Sequence, residues 1–210
     1  MTPETFVYTE LQISVPFDQA PWADINTAIK AQPGFLSKTW LSGYGTNSLG
    51  GFYAFKTETD ARAFVTGYFP GEAAAFGAPQ LTRLFDACIV EDASRDLASP
   101  HFGGRPASPP GAYVYTEVQV SKSFATFPWQ DRNTALKQVP GLLAKTWLSG
   151  IGTETLGGFD VFDTLDNAKQ FALETFPKTA AALDTAFTTR IFEAPVTEAA
   201  SRDMGSPYYA

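Results

Sequence analysis

The chain has 210 residues, 44% hydrophobic and 18% charged, a composition that supports a buried core and gives no sign of disorder. Its formal net charge is -7 and it lacks the clustered Lys and Arg that phosphate binding needs, which argues against nucleic acid and an anionic membrane surface. No stretch approaches the roughly 18 consecutive apolar residues of a membrane-spanning helix. The first ten residues lack a signal peptide's basic and apolar regions, and Cys88 has no partner for an internal disulfide, so the expectation is a cytoplasmic protein.

The run Phe6 to Ser14 is β-branched and aromatic, with Val7, Thr9, Leu11 and Ile13 on one face and Tyr8, Glu10 and Gln12 on the other, and reads as a first strand. After Pro21, Trp22, Ile25 and Ile29 recur at helical spacing until Pro33-Gly34 stops the run. Phe35 to Leu41 alternates again, residues 42–47 are turn chemistry, and Gly51 to Phe55 returns as a third strand, forming a hairpin. Thr57 or Thr59 can cap a helix carrying Ala61, Phe64, Val65 and Phe69, which Pro70-Gly71 is expected to interrupt. Leu81 to Val90 supplies the fourth strand.

The same order then repeats. Val7 to Phe102 aligns with Val114 to Tyr209 at a constant offset of 107, without a gap, and 49 of the 96 positions are identical. Lys38-Thr39-Trp40-Leu41-Ser42-Gly43 matches residues 145–150, Leu49-Gly50-Gly51-Phe52 matches 156–159, and Ala93-Ser94-Arg95-Asp96 matches 200–203, which suggests that these tails dock somewhere defined. The expected organisation is a first unit at 1–102, a Gly/Pro-rich linker at 103–111 and a second unit at 112–210. Each unit reads βαββαβ, the ferredoxin-like arrangement of the α+β class, with both helices on one face of a four-stranded antiparallel sheet. The uncovered face of one sheet is expected to pack on that of the other, an intramolecular form of the dimeric α/β barrel, so that the chain is a monomeric pseudo-dimer.

At Gln32-Pro33-Gly34-Phe35-Leu36-Ser37-Lys38-Thr39-Trp40, followed by Gly50-Gly51-Phe52-Tyr53-Ala54-Phe55, the chain resembles the YdhR-like monooxygenase family of the dimeric α/β barrel superfamily. The second copy resembles it through Pro140-Gly141-Leu142-Leu143-Ala144-Lys145-Thr146-Trp147 and Gly157-Gly158-Phe159. The family normally has one copy per chain, and this sequence departs by fusing two. The resemblance implies an oxygenase that acts on a small aromatic or polyketide-like substrate without metal or flavin. A non-catalytic ligand-binding or scaffold protein, and an isomerase or cyclase on the same fold, are the alternatives.

The candidate substrate-binding residues are Tyr8, Asn26, Lys38, Trp40 and Arg83, with their counterparts Tyr115, Asn133, Lys145, Trp147 and Arg190. If Leu36, Lys38 and Trp40 share the sheet face of Tyr8, Glu10 and Gln12, that face is unusually polar. Either Glu10–Lys38 and Glu117–Lys145 are satisfied ion pairs behind core tryptophans, or the same groups line a cavity with Trp40 as its wall and Lys38 or Tyr8 as a polar contact. Asn26 and Asn133 follow Trp22 and Trp129 by one helical turn, where an amide could hold a ligand carbonyl or phenolate, or bond nearby backbone. Arg83 and Arg190 could stabilise an enolate or pair with an acid. His101 is matched by Tyr208 and reads as part of a solvent-facing tail, and no Cys/His cluster has metal spacing. Tyr44/Ile151, Tyr53/Asp160 and Ile25/Arg132 differ between the copies, which favours two dissimilar cavities with one repeat keeping the chemistry.

Overall fold

The structure is a computed structural model that describes residues 2–209. In the first repeat, β1 (Thr5–Leu11), β2 (Phe35–Ser42), β3 (Leu49–Phe55) and β4 (Gln80–Asp86) form an antiparallel sheet in the order β2-β3-β1-β4. The second repeats the plan with β5 (Ala112–Val118), β6 (Leu142–Ser149), β7 (Leu156–Phe162) and β8 (Phe187–Glu193) in the order β6-β7-β5-β8. The crossover helices are α1 (Trp22–Lys30) and α2 (Glu58–Ala63) with α3 (Phe69–Ala75) in one repeat. In the other they are α5 (Trp129–Leu136) and α6 (Leu165–Gln170) with α7 (Phe176–Ala182). Each repeat is thus an α+β ferredoxin-like fold. Among the described residues, no helix is long and apolar enough to cross a membrane.

Pro70 does not end the second crossover helix, contrary to the sequence expectation. A π turn over Phe64–Tyr68 joins α2 to α3, and Phe171–Thr175 joins α6 to α7 in the same way. The wider turn leaves Pro70 and Pro177 in the first turn of the following segment, where the missing N–H has no intrahelical partner to lose.

The compact units do not coincide with the sequence repeats. One comprises residues 1–86 with 196–210, the other residues 87–195, so each is completed by the tail of the other repeat. The tails carry two further helices, α4 (Glu91–Asp96) and α8 (Glu198–Asp203). Strand β2 is an edge strand, and α8 occupies that edge. The Trp40 N–H donates to Ser201 Oγ at 3.0 Å and the Lys38 N–H to the Met204 carbonyl at 3.2 Å. On β6, Trp147 N–H donates to Ser94 Oγ at 2.9 Å and Lys145 N–H to the Leu97 carbonyl at 3.0 Å. Edge donors that would otherwise be buried unpaired, or open to another chain, are thereby satisfied.

The matched Ser-Arg-Asp tails are explained by this docking. The serine accepts from the edge strand, while Arg95 and Arg202 pair with Glu91 and Glu198 one turn earlier and donate to the carbonyls of Phe102 and Tyr209. The aspartate closes on the crossover helix: Asp203 pairs with Lys30 at 2.7 Å and Asp96 with Lys137 at 2.6 Å.

Ser201→Ala should leave the Trp40 N–H buried without an acceptor and lower stability by about 1–3 kcal/mol. Urea unfolding checks this, and an unchanged midpoint would mean that the tail is not held through the edge strand. Lys30 and Asn26 hold the Asp203 carboxyl below its ordinary value, and Lys137 and Asn133 do the same for Asp96. A depressed carboxyl pKa contributes stability above its unfolded value and loses it as pH falls through the folded one. Tail docking should accordingly weaken only in acid, below pH 3.8.

Candidate functional site

The strand register decides which side chains meet. Trp40 lies opposite Gly51, which pairs with Thr9, and Lys38 lies opposite Tyr53, which pairs with Val7. Lys38 and Trp40 therefore share the helix-covered face with Val7, Thr9 and Tyr53, while Tyr8 and Glu10 point to the other face. This corrects the sequence expectation that Lys38 and Trp40 face the same way as Tyr8 and Glu10. It also removes the expected Glu10–Lys38 and Glu117–Lys145 ion pairs, because Glu10 and Glu117 accept from the Tyr8 and Tyr115 hydroxyls at 2.8 Å.

In both repeats an indole is tied to the crossover helix and the tail. Trp40 Nε1–H donates to Asn26 Oδ1 at 2.7 Å, and the Asn26 amide donates to the Ala200 carbonyl and to Asp203. Trp147 Nε1–H donates to Asn133 Oδ1 at 2.8 Å, whose amide reaches the Ala93 carbonyl and Asp96. The asparagines are fully buried and committed to this clamp.

The two interiors then diverge. In the first repeat only about 20 Å³ of free space remains, bordered by Ile25, Lys38, Trp40, Tyr53, Glu72 and Phe76 among others. In the second, the equivalent space is a cavity of about 810 Å³. Its counterparts at those positions are Arg132, Lys145, Trp147, Asp160, Thr179 and Leu183. Replacing Tyr53 by Asp160, Phe76 by Leu183, Tyr68 by Thr175 and Glu72 by Thr179 takes ring and chain volume out of the gap between helices and sheet. Val118, Leu136, Val139, Trp147, Leu156, Phe171 and Phe176 give the cavity apolar walls, with Thr116, Gly157 and Lys145 on the sheet side. Lys122, Asp131 and Asp184, all exposed, mark its mouth.

Lys145 and Asp160 form an ion pair, Nζ to Oδ1 at 2.7 Å, with side-chain exposures of 3% and 0%. Burial pushes the Asp160 carboxyl up, opposed by the Lys145 charge and by hydrogen bonds from Lys145 and Thr116. The ammonium also lies 4.6 Å from the centroid of the Trp147 ring. In the first repeat the matching lysine has a tyrosine where Asp160 stands. Lys38 Nζ sits 2.8 Å above the Trp40 ring and 5.0 Å from that of Tyr53. Burial holds its pKa well below the usual lysine value, with Glu72 opposing.

The Gly-Gly pair has a physical reason here. A Cβ on Gly158 would lie 1.8 Å from Lys145 Nζ, and one on Gly51 would lie 2.6 Å from Lys38 Cε. A strand residue without a side chain gives the buried lysine its path across the sheet.

Of the sequence candidates, Lys145 and Trp147 line the large cavity and Lys38 and Trp40 the residual one. Asn26 and Asn133 stand behind the tryptophans. Arg83 and Arg190, paired in register with Tyr8 and Tyr115, lie on the opposite sheet face. Tyr44 and Ile151 lie in the β2–β3 and β6–β7 turns, outside both linings. His101 is not solvent-facing as expected: its Nε2 is enclosed, and burial lowers its pKa to about 3, so the ring is neutral. Among the described residues, no group of three His, Cys, Asp or Glu side chains is placed to hold a metal. Asp160 and Arg132 were marked by sequence only as differences from Tyr53 and Ile25 of the other copy and not as substrate-binding residues; the structure places Asp160 on Lys145 and Arg132 in the cavity lining.

Removing one half of the enclosed pair, by Asp160→Asn or Lys145→Met, should cost about 3–5 kcal/mol, and the double variant Lys145→Met/Asp160→Leu should recover most of it. Denaturant melts of the three variants measure this; additive losses would show that the two groups are not coupled.

Comparison with known proteins follows the geometry. The family model described as "Putative mono-oxygenase ydhR" matches residues 10–93, most of the first repeat. No curated protein matches by sequence. Among solved structures, an "anthrone oxidase-like protein" aligns with a TM-score of 0.61 at 14% identity, covering 92% of this chain and 93% of that one. A "putative monooxygenase" from Lactobacillus acidophilus NCFM aligns at 0.52 and 11% identity, covering 91% and 93%. A "monooxygenase-like protein" from Listeria innocua aligns at 0.50 and 8% identity, covering 90% and 94%. At these identities the structural likeness is one of fold. The first repeat thus matches the ydhR mono-oxygenase family model over residues 10–93, and the second, identical to the first at 49 of 96 aligned positions, is a fused copy of the same unit.

Proposed function

We propose that the chain is a cofactor-independent monooxygenase acting on a small aromatic or polyketide-like substrate, and that the cavity of the second repeat is its active site. The observation that carries this reading is the enclosed Lys145–Asp160 pair beside Trp147 at the sheet side of an apolar cavity of about 810 Å³. The volume lies within the range of small-molecule sites. A family match to the first repeat and fold likeness to an anthrone oxidase-like protein support the reaction class.

In this reading Lys145 is the catalytic residue. Its ammonium is aimed at a developing enolate or phenolate oxygen and stabilises that charge in a site from which water is largely excluded. Asp160 is a positioning residue behind it, fixing the ammonium through the 2.7 Å contact between Nζ and Oδ1. The substrate anion then reacts with dioxygen: an activated methylene and one O2 give a carbonyl and one water, so the substrate itself supplies the electrons. Trp147 and the phenylalanines provide a flat apolar surface for the ring system. The first repeat, with no comparable space, serves as scaffold.

Oxygen-electrode assays with an anthrone-type substrate test the proposal. Wild type should consume one O2 per carbonyl formed, Lys145→Met should lower kcat/KM by about 100-fold or more, and Asp160→Tyr, the residue of the other repeat, should lower it as well by taking away the ammonium's carboxylate partner. Asp160→Asn should lower kcat more than it raises KM, because the ammonium loses the carboxylate that positions it at 2.7 Å. Turnover without oxygen uptake would replace this reading with an isomerase or cyclase; binding without turnover would make the protein a ligand carrier.

A further inference from the structure

Arg132 lines the second-repeat cavity where the first repeat has Ile25. It is half-buried, unlike the other charged groups at the mouth, Lys122, Asp131 and Asp184, which are exposed. Deeper in, Lys145 and Asp160 neutralise each other. The guanidinium makes no ion pair or hydrogen bond to a described residue. A partly desolvated guanidinium with its donors unspent, on the wall of a largely apolar cavity, is a recognition group for a planar anion. Its five donors match a carboxylate in a fork that an isoleucine cannot offer.

We propose that the ligand of this cavity is an aromatic acid, whose carboxylate is held by Arg132 while its rings occupy the apolar interior. The inference deepens the reading of the cavity as the substrate site and rests on it, but it does not depend on the oxygen chemistry. The charge arrangement supports it in a second way. The chain is acidic overall, at -7, so an anionic ligand gains nothing from the general field and needs a local cation. The second copy has put one there by exchanging Ile25 for Arg132 at the same helical position on α5.

The test is binding of anthracene-9-carboxylate and of its methyl ester to the full chain, by calorimetry and without turnover. The expected result is that the acid binds wild type about tenfold or more tighter than the ester, and that Arg132→Ile and Arg132→Gln both erase the preference by weakening acid binding. Arg132→Ile installs the residue that the first repeat carries, and circular dichroism confirms that each variant is folded. Equal binding of acid and ester to wild type overturns the inference and leaves the cavity reading intact. A preference for the acid that persists in both variants overturns the assignment to Arg132. Failure of both compounds to bind overturns the inference whatever the oxygen-uptake assay shows, whereas tight acid binding without oxygen uptake upholds it and counts against the monooxygenase.

Discussion

The rest of each unit depends on one clamp, an indole N–H bonded to a buried asparagine whose amide holds a helix contributed by the other repeat. Trp40 with Asn26 and α8, and Trp147 with Asn133 and α4, join sheet, crossover helix and tail at one point. The tryptophan, the asparagine and the tail serine that meet there are buried, so their hydrogen bonds are favourable only when all of them are made. That requirement explains why tryptophan, asparagine and the Ser-Arg-Asp tail are all unchanged between copies that differ at about half their positions. The clamp also fixes the plane of the indole that walls the interior.

With the frame held at its edge, the space between helices and sheet is free to vary. The first repeat fills it with Tyr53, Phe76 and Tyr68, and its lysine lies over an indole with its charge disfavoured. The second repeat removes that bulk and answers the lysine with a carboxylate. A buried ion pair of this kind is weak evidence for stability, since desolvation offsets most of the Coulomb attraction. On the proposed reading, an enclosed charge pair beside a large cavity serves chemistry and not folding. A tandem duplication permits such a division, because one copy can keep the scaffold closed while the other opens.

The glycine pair shows how a short motif can serve both outcomes. Gly51 and Gly158 leave the lysine a route across the strand whether it ends over tryptophan or on Asp160. The motif that carries the family resemblance therefore places a buried lysine beside an indole in both copies, and the residue two positions after the second glycine, Tyr53 or Asp160, sets what that lysine meets.

The repeat, the βαββαβ order, the turn chemistry and the single-copy differences at residues 25/132 and 53/160 are written in the chain itself, because they follow from local propensity and self-comparison. The face on which Lys38 and Trp40 stand is not, because alternation within one strand gives a period but no phase relative to the next. That phase came from the cross-strand register and from the bulge between Phe35 and Ser37. The exchange of tails was also hidden, since two copies that match everywhere give no signal of which sheet each tail joins. The cavity is a sum of small losses of volume at positions far apart in sequence, and only the packing of helices on the sheet brings those losses into one place. The sequence alone determined that there are two copies of one fold; the tertiary structure decided that one of them is filled and the other hollow, because volume between elements is a property of their packing and not of any one of them.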